Sequence, residues 1–367
     1  MKVLHLIARM NVGGTARYLT MLSNGLEASG IESSIATGFV QGAEAEDPSV
    51  ADVKIHRIKH LGRNLNIIAD HAAFKEFEEL VANVKPDIIH SHTFKAGLIA
   101  RTRRETFIKA AGKEIKFVHT FHGHLLDDPE FSGLKKTAII TTEKYLALKA
   151  NKLITVGQKV ADELLENEIG NRNQFINIPP GVIPLKTKPK DEARKELGLT
   201  HNGPVIGWLA RVTGVKNPLL AIEVAKEIPN ATFIFGGSGD LLELLKKNVP
   251  LNAKVFGWVD AATFISACDI ILSTSENEGM PVALIEAQLA GKPVVATNVG
   301  STSEVVINNQ TGFVTSKDKA ELITAINELL NNPKTLEKLG KSAATRALEA
   351  FAPSTMINKQ IDLYKAL

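Results

Sequence analysis

A chain of 367 residues with 44% hydrophobic and 23% charged content is ordinary for a soluble globular protein and long enough for two domains. Its 43 basic and 40 acidic residues leave a net charge of only +3, which argues against nucleic acid as the main partner. Cys268 is the only cysteine, so an internal disulfide is excluded and a reducing, cytosolic compartment is expected, and no apolar run approaches the length of a membrane span.

The opening segment Met1-Lys-Val-Leu-His-Leu-Ile-Ala-Arg9 is too short in its apolar part for a secretory signal, and His5 and Arg9 interrupt it. It reads as a buried strand, Val3–Ala8, leading into the glycine loop Asn11-Val-Gly-Gly-Thr15. Further strands are expected at Ser34–Thr37, Ile88–His90, Lys116–Thr120, Lys152–Val156 and Phe175–Ile178, with helical patterns between them at Ala16–Ser29 and His71–Val84. Short apolar strands alternating with amphipathic helices predict a parallel sheet covered on both faces, with ligands at the carboxyl ends of its strands. The segment Arg101-Thr-Arg-Arg104, with Lys109, Lys113 and Lys116, reads as a basic amphipathic run that would suit anionic lipid, or as a solvated helix face.

The Pro- and Lys-rich stretch from Ile178 to Lys190 reads as a linker, after which the pattern restarts. Strands are expected at Val205–Leu209, Thr232–Phe235, Lys254–Phe256, Ile270–Ser273, Val294–Thr297 and Gly312–Val314. Helices are expected at Pro218–Ile228, Asp240–Asn248, Pro281–Ala290 and Lys319–Asn331, and a separate one at Pro353–Leu367 that crosses back to the first domain. The expected domains are therefore 1–183, 184–352 and a terminal helix over 353–367.

Three strand ends in the second half carry candidate chemistry. Arg211 and Lys216 follow the first strand; a guanidinium fork and an ammonium suit a diphosphate, although surface cations are common. Phe235-Gly-Gly-Ser-Gly-Asp240 is a glycine turn that either approaches a ligand or simply makes a tight bend. Val255-Phe-Gly-Trp-Val-Asp260 offers backbone groups and an apolar wall to a nucleobase, or plain packing. The most informative stretch is Ser275–Ala296. Glu278 lies in a polar loop, and Pro281 is expected in the first turn of a helix. Glu286 lies eight positions after Glu278, and Gly291 supplies the stop. A carboxylate beside helix N–H groups can hold a sugar hydroxyl and a phosphate together. The competing reading is a Glu that merely complements a helix dipole. Cys268, in the apolar run Phe264–Leu272, reads as packing. His90, His92, His119, His122 and His124 cluster at two strand ends; zinc on His119, His122 and His124 has weak ligand spacing, and no metal is expected.

These residues resemble glycosyltransferase family 4, the retaining glycosyltransferases of the GT-B fold: α/β, with two Rossmann-like domains facing across a cleft. Glu278 and Glu286 match its paired glutamates, Arg211 and Lys216 its cations, and Gly13-Gly14 its first glycine loop. Gly236–Gly239, Phe256-Gly-Trp258, Lys85–Thr93 and Thr120–His124 follow in the same order, so the resemblance covers nearly the whole chain. It implies that Arg211 and Lys216 neutralise the donor diphosphate, that Glu286 holds the ribose hydroxyls, and that Glu278 and His122 lie by the transferred sugar. Gly13, Gly14, Gly237, Val259, Gly279, Met280, Pro281 and Val282 complete the implied donor site. The implied reaction moves a sugar from a nucleoside-diphosphate sugar, first a UDP-sugar, to a hydroxyl of a glycan or lipid-linked acceptor. With Arg211 and Lys216 available no cofactor is expected, and the cysteine usage and the basic run place the chain in the cytoplasm, extending to the inner membrane face. Two departures, Glu278-Gly-Met-Pro281 for Glu-Gly-Phe-Gly and Gly300-Ser-Thr-Ser-Glu304 for a Gly-Gly before a later Glu, leave the donor sugar open. An epimerase of the same fold and a non-catalytic sugar-nucleotide binding protein remain as alternatives.

Overall fold

The computed structural model describes residues 1–42, 44–62, 66–123, 133–199 and 203–367. His124 lies outside the described residues. The chain divides into two compact units, Met1–Gly181 with Pro353–Leu367, and Val182–Ala352.

Unit 1 holds β1 (Lys2–Ile7), β2 (Glu32–Thr37), β3 (Ile55–Arg57), β4 (Ile88–His92), β5 (Lys116–Phe121), β6 (Lys152–Thr155) and β7 (Phe175–Asn177). They form a parallel sheet in the order β3-β2-β1-β4-β5-β6-β7. Helices cover both faces, so the central strands read as nearly unbroken apolar runs. On one face Val3, Ile7, Ile88 and Val118 pack with Leu19, Leu22 and Leu26 of helix Gly14–Ala28 and with Met356 and Leu363 of helix Pro353–Lys365. On the other, Leu4, Leu6, Ile89 and Phe117 pack with Phe77, Ile99 and Phe107 from helices Ile67–Val84, Phe94–Thr102 and Arg104–Ala111.

Unit 2 holds β8 (Val205–Leu209), β9 (Thr232–Gly236), β10 (Ala253–Gly257), β11 (Ile270–Ser273), β12 (Val294–Thr297) and β13 (Gly312–Thr315), parallel and ordered β10-β9-β8-β11-β12-β13. One face carries Ile206, Trp208, Phe233, Phe235 and Leu272 against helices Pro218–Lys226 and Lys319–Asn331. The other carries Val205, Ile234, Ile271 and Val294 against Ile285 of helix Val282–Leu289 and Ala347 of helix Pro333–Ala350. Cys268 is fully buried in this second layer, its Sγ donating to the Phe264 carbonyl at 3.1 Å, and burial pushes its thiol pKa up.

Two expectations change. Pro281 is not in the first helical turn: it is the N-cap, with extended backbone (φ −75°, ψ 90°), and the helix begins at Val282. Without an N–H, Pro281 cannot be bonded from behind, but its carbonyl accepts from Leu284 and Ile285 and so starts the ladder. The basic run around Arg101 is not one amphipathic surface. It breaks at Arg103 between two helices, and Arg101 is fully buried in an ion pair with Glu143 at 2.9 Å. Arg103 lies over the Phe74 ring and Arg104 over the Phe117 ring, while Lys113 and Lys116 pair with Asp87 and Glu114.

Candidate functional site

In each sheet the chain runs outward to one edge and returns to continue on the other side of its first strand. The reversal falls between β8 and β11 in unit 2 and between β1 and β4 in unit 1. Loops leaving the carboxyl ends of two such neighbours diverge and leave a crevice where ligands bind. Of the charged residues noted in the second half, Arg211, Lys216 and Glu278 lie on the loops at the first of these points, and Glu286 on the helix that follows.

β8 runs into the loop that carries Arg211 and Lys216, and β11 into the loop that carries Glu278. Buried Trp208 ties the two together: its Nε1 donates to Thr274 Oγ1 at 2.9 Å, and that hydroxyl donates to the Asn217 carbonyl at 2.8 Å. The Glu276 amide donates to the Val215 carbonyl at 2.7 Å, and the Glu276 carboxylate takes Asn217 Nδ2 and Lys317 Nζ at 2.7 and 2.6 Å. The Lys317 hydrogen bond holds the Glu276 pKa below its ordinary value.

Within this frame Lys216 Nζ lies 2.6 and 2.7 Å from the two Glu278 oxygens, and Ser275 Oγ donates to Glu278 Oε1 at 2.6 Å. The Glu278 side chain is only 10% exposed and that of Lys216 19%. A carboxylate so poorly solvated requires its partners. The Glu278 carbonyl also accepts from the Ser301 amide at 3.1 Å, which joins the loop after β12. Glu286 is half-buried on the second turn of helix Val282–Leu289, and Gly291, at φ +72°, ends that helix. Gly279, Met280 and Val282 lie between the two glutamates. Arg211 is exposed, and its side chain has no hydrogen bond or ion pair among the described residues; its carbonyl accepts from the Thr213 amide at 2.9 Å. Lys216 is therefore brought to Glu278 rather than to Arg211.

The glycine turn after β9 has a packing reason. A Cβ on Gly237, at φ +130°, would fall 1.8 Å from the Ala210 carbonyl oxygen, and one on Gly239 would fall 2.3 Å from that of Val212. The turn thus lies flat against the backbone on either side of Arg211, bonded through Val212 N to Ser238 O at 3.0 Å. Trp258 is 85% exposed, whereas Val259 packs at the edge of the core.

In unit 1, Gly13 caps helix Gly14–Ala28 with no side-chain hydrogen bond, and a Cβ there would meet only the Asn11 carbonyl oxygen, at 3.9 Å. No protein neighbour demands glycine at that position, which leaves room in front of the free helix N–H groups. Beside it, side chains alternate across the strands, and the register pairs His5 with His90 and His92 with Thr120, so all four share one face of the sheet. His5 Nδ1 lies 3.1 Å from His92 Nε2, and His92 Nδ1 lies 3.0 Å from His122 Nε2. His90 is bonded through Nδ1 to Tyr364 Oη at 2.5 Å and through Nε2 to Thr120 Oγ1 at 2.7 Å. Tyr18 meets His122 edge to face at 4.9 Å and accepts from Gln360 Nε2 at 2.8 Å. His119 points to the other face, on Ser91 Oγ at 2.9 Å. Burial lowers the pKa of His5 to about 3 and of His122 to about 4, and holds His90, His92 and His119 well below 6.5. These rings are neutral at pH 7.

His119 and His122 are not brought together as metal ligands. His5, His90 and His92 do have nitrogens within 4.8 Å of one another. Both nitrogens of His90 and of His92 are already hydrogen-bonded, so the trio reads as a polar network rather than a vacant ligand set.

Two family models match the chain: Glycosyltransferase Family 4 over residues 12–184 and Glycosyl transferases group 1 over residues 189–346. The chain belongs to glycosyltransferase family 4. A curated relative, the UDP-Gal:alpha-D-GlcNAc-diphosphoundecaprenol alpha-1,3-galactosyltransferase of Escherichia coli, is 28% identical over 337 residues, 85% of this chain and 84% of that protein. Among solved structures, the sucrose-phosphate synthase of Thermosynechococcus elongatus superposes with a TM-score of 0.84 at 20% identity, covering 100% of this chain and 98% of that one. Anabaena HepE in complex with UDP and glucose gives 0.82 at 20% identity, covering 100% of both chains. The two parallel-sheet, Rossmann-like units are those of the GT-B fold, and this family 4 glycosyltransferase is a transferase.

Sequence reading missed several members of its sites. Ser275 stands three residues before Glu278, a spacing that could have marked it as a local partner. His5 in the first strand carried no such mark. Tyr18, Gln360 and Tyr364 sit in ordinary helical patterns, and their roles appear only with the tertiary packing.

Proposed function

We propose that this enzyme transfers a sugar, with retention of anomeric configuration, from a UDP-sugar to a hydroxyl of a lipid-linked or glycan acceptor, in cell-surface polysaccharide or glycolipid synthesis. The observation that carries the reading is the Lys216–Glu278–Ser275 cluster at the β8/β11 switch point, beside the start of helix Val282–Leu289. In this reading Arg211 and Lys216 receive the diphosphate, Glu286 the ribose, and Glu278 and His122 the sugar. Gly13, Gly14, Gly237, Gly279, Met280, Pro281 and Val282 bring backbone close to the donor, and Val259 lines its base. The Escherichia coli relative, whose name specifies UDP-Gal and a lipid diphosphate, supports the donor and acceptor classes.

The acceptor oxygen attacks the anomeric carbon as the bond from that carbon to the diphosphate oxygen breaks. The acceptor proton passes to the departing phosphate on the same face, which keeps the configuration. Negative charge grows on the diphosphate, and a fixed donor aimed at such charge is worth about 3 kcal/mol. Lys216 is already held in place, so ligand binding redistributes its bonds rather than recruiting it. A lipid-linked acceptor places the enzyme at the cytoplasmic face of a membrane. The buried and paired cations around Arg101 argue that this contact does not run through that segment.

The test is transfer from radiolabelled UDP-sugars to a polyprenyl-diphosphate sugar, with the anomeric configuration of the product read by NMR. An α-linked product from an α-linked donor supports the reading. Inversion, or donor conversion without any acceptor, overturns it.

A further inference from the structure

We propose that His5 and His92 are positioning residues that fix His122 in its Nδ1–H tautomer, so that His122 presents a hydrogen-bond donor, not a base, to a ligand oxygen. The inference deepens the reading of His122 as a sugar ligand and rests on it for the ligand's identity, but not for the tautomer. The three rings form one chain: His5 Nδ1 to His92 Nε2 at 3.1 Å, then His92 Nδ1 to His122 Nε2 at 3.0 Å.

Each neutral ring carries one proton, so the two bonds must point the same way. If His5 donates, His92 carries its proton on Nδ1 and donates in turn, and His122 accepts at Nε2. The proton of His122 is then on Nδ1, which has no partner among the described residues. If the chain ran the other way, His5 would carry its proton on Nε2. His5 is fully buried and its Nε2 has no partner among the described residues. An orphaned buried N–H is rarer than an under-used acceptor, so the chain takes the polarity that leaves a lone pair unpaired at His5. Burial keeps all three rings neutral at pH 7, which the one-proton count requires. Tyr18, edge to face on His122 and itself bonded by Gln360, locks the ring plane. The outward nitrogen of a half-buried ring is thereby a donor of fixed direction.

The experiment labels histidine with 15N in the full chain and records long-range 1H–15N correlations at pH 7.5, with the His122 signals identified by their loss in His122→Gln. The expected spectrum shows Nδ1 protonated and Nε2 bare in His122. A His122 protonated on Nε2 overturns the proposal. In His92→Phe the donor to His122 is gone, so the tautomer becomes mixed and turnover falls about tenfold, the worth of one hydrogen bond. His92→Asn returns an amide N–H to the Nδ1 position and restores both. A His122 that stays wholly Nδ1–H in His92→Phe shows that His92 does not set the tautomer and overturns the proposal. Should His92→Phe fail to fold, the wild-type spectrum alone decides. Unchanged turnover in His122→Phe retires the ligand role of His122, while the spectrum still judges the tautomer.

Discussion

Replacing Lys216 by Met keeps the stem and deletes the charge that touches both oxygens of Glu278 at 2.6 and 2.7 Å. Two separate losses follow. In the unliganded protein Glu278, with only 10% of its side chain exposed, keeps one strong donor, Ser275 Oγ. Stripping one partner from a fully buried pair costs about 3–5 kcal/mol. Lys216 is 19% exposed and water can replace part of it, so about 2 kcal/mol is expected here. In the proposed reaction, loss of one preorganised charge facing the diphosphate costs about 3 kcal/mol, or roughly a hundredfold in turnover. The stability loss is read by urea denaturation and the catalytic loss by steady-state transfer from UDP-sugar. Adding Glu278→Gln to Lys216→Met removes the stranded charge and should recover most of the stability but none of the turnover. Turnover within about threefold of wild type in Lys216→Met, with the fold intact, would refute the assignment of this ammonium to the diphosphate.

Gly237→Ala places a Cβ 1.8 Å from the Ala210 oxygen at a φ of +130°, so at least about 2 kcal/mol of stability should be lost and the donor KM should rise as the Arg211 loop shifts; a thermal melt and a donor titration check both. Tyr364→Phe leaves His90 Nδ1 buried without its 2.5 Å partner and should cost about 1–3 kcal/mol by urea denaturation, although Tyr364 belongs to the helix farthest along the chain. The buried histidines have folded pKa values below their unfolded value of about 6.5, so the unfolded chain binds protons that the folded chain refuses. Their contribution is complete above pH 6.5 and is lost as pH falls from 6.5 toward the folded values, about 4 for His122 and about 3 for His5, at up to about 1.4 kcal/mol per pH unit for each ring. Urea melts at pH 7.5, 6.5 and 5.5 should show that decline, and His5→Phe should make it shallower.

The strands that place the sites were legible because buried parallel strands are written as short apolar runs. Val205–Leu209, Ile270–Ser273 and Val294–Thr297 have the expected bounds, and β4 runs two residues past its expected end because His90 and His92 are buried by bonding rather than by hydrophobicity. β3 was missed: three edge residues, Ile55–Arg57, carry too little pattern. Helix Phe94–Thr102 was missed because Lys95, Gly97 and Arg101 share its buried surface with Ala96, Ile99 and Ala100, and the two cations read as surface until Asp70 and Glu143 supply the counter-charges. The charges at the switch point were legible one by one, but not their pairing. Spacing along the chain grouped Lys216 with Arg211, whereas the adjacency of β8 and β11 hands it to Glu278, 62 residues away. The histidine chain depends on strand register, which no single strand reveals.

Helix Pro353–Lys365 belongs to the same unit as β1, and all of unit 2 is translated between them. On the ribosome, the strand bearing His90 and the helix bearing Tyr18 emerge early but lack the phenol and the amide that satisfy them until the intervening unit has been made. Nascent chains arrested before residue 353 should therefore hold a finished second lobe and an unfinished first one, in which His90 and Tyr18 still lack Tyr364 and Gln360.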